Sequence, residues 1–390
     1  MISLENFYYF LHKRLLEPLG VQDIMYHKFG STSLDDLVIG RYTPRRSRYG
    51  PMMAKVPSCF YCDQEPLTEK MVYQLDGFDA VRWSFKMLAN SEHSALKDKI
   101  LQDTGYLDWY YFFHGFAALD WFHDGQYFDH DIPWSKSYIS LNRLCTNDRS
   151  YRLNLVARFS ASGILDQGHV SLHLDTADQG SVQQELTDEN SRLSDASKKL
   201  IATHVDRSLY LDHWGNTSGN ISADFGDQEF ELWKSGLWHV VTETVFYHHK
   251  QHLTEKIFKP IVAQRPFILA GAPGNLAYLR SYGFKTFDTW IDESYDQILD
   301  SDLRLQAIVD QVKKICALTP SQLRSMHRDM QAVLQHNFDH FYREFRKIIV
   351  EELVNNFQRC VLLWSNGRVD DRALPFDQFD FGQVKKLLLR

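Results

Sequence analysis

Leu253-Thr254-Glu255-Lys256-Ile257-Phe258-Lys259-Pro260 is followed closely by Arg265-Pro266-Phe267-Ile268-Leu269-Ala270-Gly271. The first stretch reads as a polar loop entering a short helix that carries Glu255, Lys256 and Lys259. The second reads as an apolar strand, Pro266 to Ala270, stopping at a glycine. A short unbroken apolar run between turn signals suits a strand buried on both faces. A carboxylate can hold the two hydroxyls of a ribose, and a neighbouring lysine can hold a diphosphate. Taken alone, Glu255 also reads as a helix-start carboxylate favoured by the dipole, and Lys256 and Lys259 as solvated surface cations. Their position just ahead of a buried strand favours the binding reading.

Working outward, Leu237 to Val241 reads as a strand ending in Thr242-Glu243-Thr244. Asn275 to Tyr282 reads as a helix, and Gly283-Phe284-Lys285-Thr286-Phe287 as a further short strand. Tyr138-Ile139-Ser140-Leu141-Asn142-Arg143 is a strand with a polar end, followed by a helix over Ser150 to Ser162. In the first third, Phe60 to Cys62 runs into Asp63, and Met87 to Ala89 runs into Asn90-Ser91-Glu92. Strands alternating with helices on this scale predict an α/β chain with doubly wound sheets. In such sheets ligands bind beyond the carboxyl ends of the strands. The polar, proline-bearing stretch Asp129 to Ser135 marks a domain boundary. The pattern predicts an N-terminal domain over 1–134, a second over 135–350, and a helical segment, 351–390, that can return to the first. Residues 175–230 are polar and read as surface helix and loop. Thr319 with Pro320 and Gln322 reads as a capped helix start, and Leu323, Met326, Met330, Val333, Leu334, Phe338 and Phe341 as a core-facing stripe.

A chain of 390 residues can bury more than one core. Hydrophobic content of 44% with 24% charged residues is that of an ordinary soluble protein. The net charge of −7 excludes a globally basic nucleic-acid binder. Five cysteines, an odd number, do not form a disulfide framework and fit a reducing cytoplasm. The first 20 residues lack the layout of a secretory signal, and no apolar run approaches the roughly 18 residues of a membrane span.

Local chemistry is richer. Arg143, Arg149 and Arg152 follow the strand at 138–143, where a guanidinium can pair with phosphate oxygens in bidentate fashion. Asn142 beside them can bond sugar or phosphate, and Thr242 and Glu243 end a neighbouring strand. Glu65, held extended by Pro66 beyond a strand, is a candidate general base; Asp63 is its competitor, and His114 a third candidate. Cys59 and Cys62 read as buried thiols. Asp129-His130-Asp131 and the histidines His248, His249 and His252 suit a metal less well than they suit turns and surface, so no metal site is expected. Arg41, Arg45, Arg46, Arg48 and Lys55 form a run of five bases with no acid over 15 residues, interleaved with Tyr42 and Tyr49. Such a run suits either a solvated loop or contact with nucleic-acid phosphates and bases.

Taken together, Tyr-Ile-Ser-Leu-Asn-Arg (138–143), Val-Thr-Glu-Thr (241–244), Leu-Thr-Glu-Lys-x-Phe-Lys-Pro-Ile (253–261), Arg-Pro-Phe-Ile (265–268), Gly-Phe-Lys-Thr-Phe (283–287) and Asp-Glu-Ser-Tyr-Asp (292–296) resemble a group of bacteriophage glycosyltransferase-like proteins. The Thr-Glu-Lys segment is similar to the donor motif of the alpha-1,3-fucosyltransferases. The resemblance covers roughly residues 138–300 and is specific as a set. It implies a GT-B architecture, two Rossmann-like domains facing across a cleft, with a helical C-terminal region. It further implies Glu255 on a ribose, Lys256 on phosphates, and Arg143, Arg149 or Arg152 on the diphosphate of a UDP- or GDP-linked sugar. Asp63-Gln64-Glu65-Pro66 resembles the acceptor segment of the fucosyltransferases, which places Glu65 as base. No cofactor beyond the nucleotide sugar is implied, and the stereochemistry is inverting. Phage enzymes of this kind act in the host cytoplasm and decorate a 5-hydroxymethylated pyrimidine, such as hydroxymethylcytosine, in double-stranded DNA. The basic loop at 41–55 suits that acceptor, and reaching the base requires flipping it out of the duplex. A glycan acceptor, a noncatalytic nucleotide- or glycan-binding protein on the same fold, and a metal-dependent hydrolase are the competing readings.

Overall fold

The computed structural model describes residues 4–19, 21, 23–26, 38–39, 58–69, 86–175, 180–211, 227–366 and 380–389. The chain divides into two compact units, Met1–Asp120 with Phe345–Arg390, and Trp121–Glu344. The sequence reading set its boundaries at 134/135 and 350/351. The stretch Asp129 to Ser135 is fastened into the second unit: Ser135 donates its backbone N–H to Ser235, and Arg265 reaches the carbonyl of Ile132 at 2.9 Å.

The first unit is built on a five-stranded sheet. Its strands are β1 (Asp23–Tyr26), β2 (Val38–Ile39), β3 (Ser58–Cys62), β4 (Lys86–Asn90) and β5 (Leu107–Tyr110), in the order β2-β1-β3-β4-β5. All pairings are parallel except β2 with β1. Cys59, Phe60, Tyr61 and Cys62 are all buried, as a central parallel strand covered on both faces requires. Burial also holds the Cys59 and Cys62 thiols well above their ordinary range, so both are inert. Phe60, Leu67, Leu88, Ile100 and Tyr106 form one cluster of this core. The helix Ala95–Thr104 starts on Ser94, whose hydroxyl accepts from the Lys97 N–H, and ends at Gly105 with φ +70°, the left-handed stop that glycine provides. The helix Arg346–Asn366 packs on β5. Trp109 donates its indole N–H to the Leu353 carbonyl at 3.2 Å, and Asn356 donates to Tyr110 at 2.9 Å.

The second unit has a four-stranded, wholly parallel sheet. Its strands are β6 (Lys136–Asn142), β7 (Gly168–Leu172), β8 (Gly236–Thr242) and β9 (Phe267–Ala270), in the order β9-β8-β6-β7. β8 is buried along its whole length. The helix Tyr151–Ala161 links β6 to β7. At the start of β7, a Cβ on Gly168 would lie 2.3 Å from the Tyr138 ring, so only glycine lets that ring lie across the strand. The chain goes to one side of β6 to make β7, then to the other side to make β8 and β9. That reversal puts a topological switch between the carboxyl ends of β6 and β8.

Polar residues 180–211 supply the helices Val182–Thr187 and Asp195–His204, capped by Ser181 and Ser194. The helix at Pro320–Asp329 begins with a full capping box between Thr319 and Gln322. Leu323, Met330, Leu334 and Phe341 of the expected stripe are buried.

One expectation fails outright. Gly283 to Phe287, expected as a short strand, forms none. Its backbone is satisfied by side chains instead: Asn337 accepts from the Lys285 N–H and donates to the Lys285 carbonyl, and Glu293 accepts from the Phe287 N–H at 2.6 Å. Among the described residues, no helix is long and apolar enough to cross a membrane.

Candidate functional site

Four of the predicted donor residues meet at the carboxyl end of β8. Glu243, the first residue past that strand, is fully buried. Its carboxylate accepts the Thr254 N–H at 3.3 Å, the Thr254 hydroxyl and the Thr244 N–H at 3.3 Å. Burial raises the pKa of Glu243, against the lowering effect of Lys256 and Thr254. Glu243 thus fastens the Leu-Thr-Glu-Lys segment to the end of β8. Thr254 in turn caps the turn Glu255–Ile257 by accepting from the Lys256 N–H.

Lys256 Nζ lies 2.9 Å from a Glu255 carboxylate oxygen and 3.3 Å from the Thr254 hydroxyl. The side chain of Glu255 is 5% exposed and that of Lys256 is 28% exposed. The lysine is therefore the member that faces solvent, and the carboxylates behind it fix its position. A cation so placed at the end of a parallel strand can take a phosphate oxygen. Lys259 does not join this cluster. Its ammonium sits over the Trp233 ring, 5.1 Å from the centroid, and Trp233 precedes β8, so the lysine lies toward the opposite edge of the sheet.

Arg152 is committed to the backbone. Its guanidinium donates to the carbonyls of Leu144 at 2.8 Å, Thr242 at 2.9 Å and Glu243 at 3.1 Å. It spans the switch and ties the chain leaving β6 to the end of β8. Its buried Nε finds no acceptor among the described residues. Tyr151 adds a second tie, donating its hydroxyl to the Glu243 carbonyl at 2.6 Å. Asn142, the last residue of β6, donates to the Ser171 carbonyl at 3.1 Å, and its buried Oδ1 has no donor among the described residues. Thr242 donates its hydroxyl to the Leu141 carbonyl at 3.2 Å. Arg143 follows Asn142 and stands near His173, whose pKa is lowered first by burial and then by that charge. Arg149 closes the turn Asn147–Arg149 ahead of the helix. Strand β9 ends differently. Asp296 accepts from the Leu276 N–H at the start of the helix Asn275–Ser281, so that helix end is already capped by a carboxylate of this chain.

In the first unit, Asp63, Gln64 and Glu65 follow β3. Asp63 is buried, and its two oxygens accept the Tyr8 hydroxyl at 3.0 Å each and the Tyr111 hydroxyl. Gln64 donates to the same Tyr8 oxygen at 2.6 Å. Burial pushes the Asp63 carboxyl up to about 6, the tyrosine hydrogen bonds and the nearby His114 holding it from rising further. Asp63 is thereby a structural carboxylate. Glu65 is half-buried on the turn beyond it. His114 Nε2 lies 3.1 Å from the Gln64 carbonyl and so donates to it. A further carboxylate, Glu92 after β4, accepts the Leu67 N–H at 2.7 Å and the Ser94 hydroxyl. It lies in the polar loop that the sequence placed beyond β4, yet nothing in that loop's composition separates it from an ordinary turn acid.

No protein family, curated protein or solved structure matches this chain.

The basic residues Arg41, Arg45, Arg46, Arg48 and Lys55 lie outside the described residues. Asp129 accepts from the Asp131 N–H, an ordinary turn contact. His248 lies 3.3 Å from Asp148, and His252 is buried. Among the described residues no group of three or more His, Cys, Asp or Glu is gathered as a metal would need.

Proposed function

We propose that this chain is a glycosyltransferase of GT-B architecture, its two units being the donor- and acceptor-binding halves. The observation that carries the reading is the cluster Glu243, Thr254, Glu255 and Lys256 at the carboxyl end of β8, beside the β6/β8 switch. A UDP- or GDP-linked sugar lies along that edge, with Lys256 on the diphosphate, Arg143 or Arg149 assisting, and Glu255 toward the ribose. Glu65 takes the proton of the acceptor hydroxyl. The acceptor oxygen forms its bond to the anomeric carbon as the bond from that carbon to the diphosphate oxygen breaks, with inversion. The cations stabilise the charge that collects on the departing nucleotide diphosphate. The acceptor is a hydroxymethylated pyrimidine in duplex DNA, a reading supported by the basic run at 41–55 and the resemblance to phage proteins.

A thermal-shift screen with UDP, GDP and their sugar derivatives tests the donor. Ligand at 100 times Kd stabilises the folded state by about 2.7 kcal/mol. Lys256→Ala and Glu255→Gln should each weaken nucleotide binding at least tenfold. Full affinity in both variants, or no shift with any nucleotide, overturns the donor assignment. Duplex DNA binding that is indifferent to salt and to neutralising Arg45 and Arg46 overturns the acceptor.

A further inference from the structure

The turn after β6 borders a solvent-open cavity of about 360 Å³, most of its lining residues exposed, that the cluster at β8 does not use. Thr146 and Asn147 form one wall, while Ser181, Gln184 and Glu185 of the neighbouring helix form the other. The walls are held together by Glu185, whose carboxylate accepts the Asn147 N–H at 2.7 Å and the Ser191 hydroxyl. Asn147 has φ +54°, a left-handed conformation that asparagine tolerates better than most residues. The same turn joins the candidate donor edge. Ser150 Oγ is 2.9 Å from the Tyr247 hydroxyl, and Asp148 is 3.3 Å from His248, both on the segment leading from β8 to Thr254.

The lining defines the ligand. No aromatic or cationic side chain is among the described residues that line the cavity, and Glu185 and Asp188 make it negative. A phosphate is repelled there, and a nucleobase has nothing to stack on. Hydroxyls, amides and carboxylates together can accept from and donate to the several hydroxyls of one pyranose ring. The volume is at the small end of ligand sites, which begin near 300 Å³. We propose that this cavity receives the glycosyl group of the donor, or the same sugar free in solution. This rests on the glycosyltransferase reading above.

Gly180 offers a direct probe. A Cβ placed on it would lie 3.7 Å from Thr146 Oγ1 and 3.8 Å from Asn147 Nδ2, so a side chain there enters the cavity from ordinary contact distance. The position is exposed, so Gly180→Trp fills the cavity without disturbing a core, and Gly180→Ala leaves most of it open. Binding of UDP, GDP, UDP-glucose and GDP-mannose to the full chain is measured by calorimetry. Saturation-transfer NMR with methyl glycosides of glucose, galactose, mannose and fucose provides a second readout. Gly180→Trp should weaken the nucleotide sugar at least tenfold, leave the bare nucleotide within twofold, and abolish the glycoside signals, while Gly180→Ala changes none of them. If nucleotides bind and Gly180→Trp affects sugar-bearing and bare forms alike, the sugar pocket falls and the donor reading stands. If no nucleotide binds but glycoside signals vanish in Gly180→Trp, the donor reading falls and the pocket stands. Absence of both kinds of binding in the wild type overturns both.

Discussion

Asp63→Asn separates two roles that lie close together on the turn after β3. The carboxyl of Asp63 titrates near 6 in the fold against an ordinary 3.8. That difference corresponds to about 3 kcal/mol. The sign follows from proton binding. Between pH 4 and 6 the folded state holds a proton at Asp63 that the unfolded chain has released. Raising the pH through this window therefore lowers the unfolding free energy, and the loss is complete above the folded-state value. Asparagine does not titrate. It can still accept from one tyrosine, and the other tyrosine can rotate to accept from its amide. Urea unfolding followed by tryptophan fluorescence, at pH 4, 5, 6 and 7, should show wild type losing about 3 kcal/mol relative to Asp63→Asn across the series. Curves that run parallel with pH would refute the burial argument. The same variant, corrected for folded fraction, should retain the proposed glycosyl transfer, because both oxygens of Asp63 are spent on tyrosines. Loss of transfer in Asp63→Asn with transfer preserved in Glu65→Gln would exchange the two assignments.

Thr254→Val removes the hydroxyl that Glu243 accepts and the cap on the Lys256 N–H. A charge-assisted hydrogen bond and a cap together are worth about 2–3 kcal/mol, so the midpoint of urea unfolding should fall accordingly, with nucleotide affinity falling alongside it. An unchanged midpoint would mean that the Glu243 tie contributes little. Gly283→Ala meets both a φ of +92° and a Cβ contact of 2.7 Å with the His340 ring. A melting-point loss equivalent to about 1–3 kcal/mol is expected, and a melting temperature at or above wild type would contradict the backbone geometry.

Much of the framework is legible in the sequence because it is written in local patterns. Phe60 to Cys62, Met87 to Ala89, Leu237 to Val241 and Phe267 to Ala270 are largely apolar runs that stop at polar residues or, in the last case, at Gly271, and each lies in a parallel strand. The capping box at Thr319 follows from three residues in a row of four. What escapes the sequence is long-range pairing. Tyr8 and Tyr111 lie 55 and 48 residues from Asp63, and nothing local announces that both hydroxyls converge on it. Gly283 to Phe287 carries two buried phenylalanines, but apolar content reports which side chains are buried, not which groups satisfy the backbone. There Asn337 and Glu293 take the place of a neighbouring strand. Lys259 misleads for a related reason. It follows Lys256 by three positions, a spacing that can keep two side chains on one helix face, yet its ammonium packs over the Trp233 ring, a long-range contact that no local pattern announces.

The arginines after β6 divide by the same logic. All three read as phosphate ligands in sequence, Arg143 first as the nearest to the strand end, yet Arg152 spends its terminal nitrogens on three carbonyls at the switch. Carbonyl oxygens engage its terminal nitrogens without cancelling its charge. Within the proposed donor site, Arg152 then acts by shape and field rather than by contact. It fixes the spacing of the β6 and β8 ends, and it leaves a positive charge beneath the place where a diphosphate would lie. In the proposed reading, Arg143 and Arg149 are the arginines for direct contact. In the proposed reading, the buried Arg152 and the more exposed Lys256 are the cations that a departing diphosphate needs. The negative cavity beside Asn147 has the opposite character, which suits the uncharged half of the same donor.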